Sequence, residues 1–154
     1  MSDTRETIEK VTTRILEDWA MMMVEPLPNV NSAFNQEEPY LLATVKFKGV
    51  MSGTYHILCQ EGFLDNLAGN LLGFDEHADS EERNDALREM ANVLCGNLLT
   101  ECYGDDTVFD LSLPEVHEIE ADKISTYFNN RSASYLADEE PVLVTFSAEE
   151  SHAN

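Results

Sequence analysis

The sequence predicts an α+β fold in two layers, an antiparallel sheet with long helices packed on one face. Three observations predict it. Long segments carry apolar residues at helical spacing, shorter ones alternate strictly around glycines, and helices mix with hairpin-like pairs instead of alternating one strand with one helix.

The first helix is expected from Glu6 to about Val24. Ile8, Val11, Ile15, Leu16, Trp19 and Met22 or Met23 recur at helical spacing, and Pro26 and Pro28 stop it. The run Met21-Met22-Met23 reads as core filler. Residues 29–39 are polar, contain Pro39 and read as a loop. In the next segment Ala43, Val45 and Phe47 alternate with Thr44, Lys46 and Lys48, and Tyr55 and Ile57 alternate with Thr54 and His56. That is a pair of half-buried strands joined through the Gly49–Gly53 turn, with His56 on the polar, exposed parity. Residues 61–73 stack Phe63, Leu64, Leu67, Ala68, Leu71 and Leu72 on one stripe, and Gly73 is placed to cap the helix.

The acidic loop that follows ends in a capping-box pattern, Asp79 with Glu82, which starts a helix from about Glu81 to Tyr103. Beyond Gly104, residues 107–116 alternate Phe109, Leu111 and Leu113 with Asp110 and Ser112 and read as a strand ending at Pro114. Residues 117–140 carry no clear pattern beyond a strand signal at 125–128. Pro141–Ser147 reads as a strand, and about 148–154 as a frayed tail of the single domain 1–154.

Thirty acidic residues face nine basic ones, a formal charge of −21. Such a field repels phosphate backbones and anionic lipid, so nucleic acid and membrane are not expected partners, and a basic protein surface is attracted instead. Solubility is the simpler reason for the acidity. The amino-terminal residues lack an apolar signal core, and no apolar run approaches ~20 residues. Cys59, Cys95 and Cys102 form no CxxC pair, so they read as reduced small hydrophobes in a cytoplasmic protein. His77 among Asp75, Glu76 and Asp79 lacks organised metal-ligand spacing and reads as a solvated loop.

The helix at 81–103 is the informative element. At about 100° per residue, Asp85, Glu89, Asn92 and Gly96 fall within roughly 60° of arc, and Leu87, Met90, Ala91, Leu94 and Leu98 fall opposite. A helix needs a polar face, and acids and amides often supply it. Here that face has no lysine, and it includes a mid-helix glycine, which costs about 1 kcal/mol relative to alanine. One reason to keep it is close approach by another molecule. No nucleophile, metal cage or shifted acid pair accompanies the stripe, so it is not a hydrolytic site by itself. A carboxamide can orient a water and a carboxylate can pair with a cation, which suits completing a site on a partner.

The spacing Asp85-x-x-x-Glu89-x-x-Asn92-x-x-x-Gly96 resembles the signature of the CheC/CheX/FliY family of chemotaxis phosphatases. The order of elements around it is similar to the CheX type. CheC-like members carry the signature twice, and the leading helix here offers no Glu-x-x-Asn. The resemblance implies a CheC-like fold and a phosphatase acting on a phospho-aspartyl CheY-like response regulator. Glu89 and Asn92 are the implied catalytic pair, with Asn92 orienting the attacking water and Glu89 pairing with the partner's lysine. Asp85 and Gly96 would support docking. It also implies no cofactor or metal of its own, Mg²⁺ held by the partner, and a homodimer formed through sheet edges. Two other readings stand beside it. One is a non-catalytic signalling or flagellar-switch adaptor docking through the same face. The other is a metal hydrolase using His77, His117 and acidic residues.

Overall fold

A computed structural model of the chain describes residues 4–27, 34, 37–73, 79–120, 122–123 and 132–150. Its seven-stranded antiparallel sheet runs β1 (Val24–Pro26), β6 (Ser132–Ala137), β7 (Glu140–Glu150), β3 (Met51–Cys59) and β2 (Tyr40–Lys48). The short β4 (Asp110–Leu111) and β5 (Glu115–Ile119) pair with successive parts of β2. Three helices, α1 (Thr4–Arg14), α2 (Glu61–Leu72) and α3 (Ser80–Tyr103), share the main core with one face of this sheet.

Strand parity decides which face that is. Ala43, Val45, Phe47, Tyr55, Ile57, Val142, Val144 and Phe146 are buried against Leu16, Phe63, Leu67, Leu87, Met90 and Leu94 from the helices. The alternation in β2 and β3 predicts this face correctly. The opposite face is not simply solvated. Leu42, Leu58 and Leu143 bury there with Phe34 and Tyr40. His56 lies on that face, half-buried rather than exposed, its ring nitrogen 3.0 Å from the Thr44 hydroxyl across the strand pair. Burial lowers its proton affinity.

Several boundaries differ from the sequence reading. The first helix widens into a π-helical turn at Ile15–Trp19 and ends before Met21, which takes a left-handed φ of 57°. The chain then enters β1, a strand too short and proline-flanked to read in advance. Of the three methionines only Met22 is core; Met21 and Met23 are 59% and 81% exposed. Leu113 is 87% exposed, and the expected strand at 107–116 resolves into β4 and β5 on either side of Pro114. The last strand continues through residues 148–150, pairing with Met51–Gly53 where a frayed tail was expected. The end of β5 and all of β6 fall in the stretch that carried no pattern, whereas the expected strand at 125–128 and His77 lie outside the described residues.

The turn between β6 and β7 anchors the helix layer. Asp138 and Glu139 take φ of 47° and 69°, as a tight two-residue hairpin requires. The Asp138 carboxylate accepts from Met23 N at 2.9 Å, and Asn70 donates to the Ala20 carbonyl at 3.0 Å and to Asp138 at 3.3 Å. One amide on α2 thus ties the end of the first helix to the far hairpin.

Where β7 begins, the Glu140 carboxylate covers Gly62 so closely that a Cβ there would meet it at 2.5 Å. Burial, then Glu38, Asp65 and Glu139, raise the proton affinity of Glu140. A folded pKa above the unfolded one means stability is lost as pH rises through the folded value. Glu140→Gln should therefore raise stability at pH 7 by up to about 0.5 kcal/mol, discounted for solvent screening. The gain should fade below about pH 4, where the unfolded acid is neutral too. Denaturant titrations at the two pH values measure it.

Candidate functional site

Helix α3 is built to hold one face still. The Asp79 carboxylate accepts from Glu82 N at 2.8 Å, and Glu82 accepts from Asp79 N at 3.2 Å, so the expected capping box is formed. Near this end Arg83 bridges to Glu61 (3.0 Å) and Asp65 (3.1 Å) of α2. Near the other end Glu101 takes Arg14 (3.3 Å) and Lys10 (3.9 Å) of α1. Between these ties Leu87, Met90, Ala91, Leu94, Cys95 and Leu98 are buried at 1% exposure or less. Burial pushes the Cys95 thiol up to about 12 and the Cys59 thiol higher still. All three cysteines are free thiols, and these two are inert hydrophobes.

Opposite this apolar side the sequence-predicted stripe is intact. Asp85, Glu89 and Asn92 are exposed, and Gly96 is half-exposed beside them. A Cβ added at Gly96 would meet nothing within 4 Å. Internal packing therefore does not demand this glycine, and the space above it is open. Among the described residues the side chains of Glu89 and Asn92 have no hydrogen-bond or ion-pair partner. As i, i+3 neighbours their Cβ atoms lie about 5–6 Å apart. Both are thus free to meet groups brought by another molecule.

The sequence reading passed over Arg88. Its guanidinium donates to the Asp85 carboxylate at 2.6 Å, so Asp85 is occupied within its own helix. The signal was present as the i, i+3 spacing. An exposed pair of this kind contributes only about 0.3–0.5 kcal/mol, so it holds the two side chains loosely.

The stripe is convex. A groove of about 570 Å³ lies elsewhere, lined by Met22, Val24, Leu136 and Asp138, and another of about 640 Å³ lies along Lys46, Thr54 and Ser112. No three His, Cys, Asp or Glu side chains among the described residues converge on a metal-sized site, and His117 is an exposed strand residue 3.4 Å from Glu115. An outward helix face bearing an amide and a carboxylate, unpaired among the described residues, can position groups but cannot enclose a substrate.

Residues 41–146 match the family model for the chemotaxis phosphatase CheX. The chain belongs to the CheX family. CheX from Vibrio vulnificus superposes with a TM-score of 0.72 at 15% identity, covering 96% of this chain and 97% of that one. CheX of Borrelia burgdorferi, solved in complex with CheY, BeF₃ and Mg²⁺, gives 0.65 at 20% identity over 96% and 99%. FliY from Thermotoga maritima gives 0.57 at 14% over 98% and 91%. These likenesses establish the CheC-like fold. Among curated protein sequences none matches the chain. No described helix is long and apolar enough to cross a membrane.

Proposed function

We propose that this protein is a phosphatase for a phospho-aspartyl receiver domain of the CheY type, completing the partner's active site with Glu89 and Asn92. The observation that carries the reading is the pair itself. An exposed carboxylate and carboxamide sit one turn apart, without partners among the described residues, on a helix held at both ends, in a chain of the CheX family.

The proposed chemistry is catalysis by positioning, as the family resemblance implies. The acyl phosphate and its Mg²⁺ belong to the receiver. Asn92 enters beside the phosphoryl group, its amide holding a water in line with the phosphorus–oxygen bond to the aspartate. The water oxygen bonds to phosphorus, the bond to the aspartyl oxygen breaks, and the aspartate leaves as carboxylate. Inorganic phosphate is released and the water's proton passes to phosphate or solvent. Glu89 pairs with the receiver's active-site lysine and fixes the register of docking. Each protein supplies half of the transition-state contacts, so activity appears only in the complex. A homodimer through sheet edges fits the family and the outer side of β1, which pairs with no other strand among the described residues.

The test is a panel of CheY-type receivers, each phosphorylated with acetyl phosphate in Mg²⁺ and followed for phosphate release with and without this protein. Faster decay of at least one receiver supports the proposal. Tight binding with decay at the intrinsic rate would establish the adaptor reading instead.

Gly96 separates docking from folding. Gly96→Ala should stabilise the fold by about 1 kcal/mol, because the site is open and alanine is the better helix former. Gly96→Met should fold equally well yet raise the KM for the phospho-receiver, measured in the same assay beside a melting curve.

A further inference from the structure

Arg88 raises a question that the signature residues leave open. A stripe bearing Asp85 and Glu89, on a chain of charge −21, is to approach a phosphoryl dianion, and Coulomb repulsion opposes that approach. Helix α3 carries two cations. Arg83 is 16% exposed and committed to Glu61 and Asp65, which leaves Arg88 as the one positive charge between Asp85 and Gly96. Arg88 and Asn92 are i, i+4 neighbours, so the guanidinium and the carboxamide share one patch of helix surface. The side chain is 39% exposed and its carboxylate partner 66% exposed. Solvent screens such a pair, and its hold on the guanidinium is correspondingly weak.

We propose that Arg88 is a phosphoryl-binding residue. On docking, its guanidinium leaves Asp85 for the phosphoryl oxygens of the receiver, beside the water held by Asn92. Asp85 is a positioning residue that parks Arg88 next to Asn92 and is itself neutralised in the free protein. This inference rests on the phosphatase reading above. The planar fork of a guanidinium suits two phosphoryl oxygens, and exchange of one carboxylate for a more highly charged group at a partly desolvated interface favours transfer.

The experiment compares binding of a CheY-type receiver, with and without beryllofluoride and Mg²⁺, to wild type, Arg88→Gln, Arg88→Lys and Asp85→Asn, with phosphate release measured alongside. Arg88→Gln should weaken binding of the beryllofluoride-loaded receiver about tenfold and leave the unloaded receiver unaffected. Arg88→Lys should recover part of the loss, and Asp85→Asn should bind the loaded receiver as tightly as wild type or more tightly. Melting curves should coincide. If Arg88→Gln weakens loaded and unloaded receivers equally, or changes neither, the role of Arg88 is overturned while the phosphatase reading stands. If wild type neither prefers a loaded receiver nor speeds phosphate release from any, both fall.

Discussion

Asn92→Ala is expected to slow phosphate release from the cognate receiver about 100-fold or more, the usual loss when one oriented transition-state partner is removed. The effect should fall on kcat rather than on receiver binding, because in the proposed mechanism Asn92 orients the water while Glu89 and the helix surface supply docking. The side chain is exposed and makes no hydrogen bond among the described residues, and alanine is the better helix former. Melting temperature should therefore stay constant or rise slightly. Undiminished phosphate release by a folded Asn92→Ala protein would sink the mechanism, since nothing else on the stripe can hold the water as an amide does.

Met90→Ala should give the reverse result only two residues away. Met90 is fully buried on the core side of α3, where truncation costs about 2–5 kcal/mol. For a chain of this size that corresponds to a fall of roughly 5–15 °C in melting temperature. Assayed well below its transition, the variant should keep wild-type turnover, because the outward stripe is untouched. An unchanged melting temperature would mean that the core side of α3 has been assigned wrongly. The pair of substitutions divides the helix by face, one half holding the fold and the other proposed to meet the receiver.

Much of this division was legible in the residues. The 3.6-residue period of Leu87, Met90, Ala91, Leu94 and Leu98 faces α3 correctly, and Asp79 with Glu82 marks its start within one residue. Alternation exposed β2 and β3 for the same reason: side chains on a pleated strand cannot avoid a period of two. What escaped has equally physical causes. The strand Ser132–Ala137 is built from serines, alanines, one tyrosine and one leucine, a weak strand former made a strand by pairing with Glu140–Thr145. Parity placed His56 away from the helices, but parity does not report that Leu58 and Leu143 close over part of that second face. The exposed stripe was legible as four aligned positions, whereas the Asp85–Arg88 contact depends on rotamers that spacing permits without requiring. In the proposed mechanism the remaining half of the reaction lies on the receiver, with no residues in this chain to read.

The central pairing of the sheet carries a consequence for biogenesis. Strand β3 is sealed on one side by β2, its immediate predecessor, but on the other by β7, with residues 60–139 intervening. At translation speeds of about 5–20 residues per second, the nascent β3 waits roughly 4–16 s for that partner. Throughout the wait its apolar side, Tyr55, Ile57 and Cys59, borders an open row of backbone donors and acceptors, the template on which chains misassociate. Lys46, Lys48 and His56 lie on the other surface of the growing hairpin and do not shield it. Yield in a cell should thus depend on how quickly the ribosome reaches Glu140, and on chaperones that occupy the vacant flank until then.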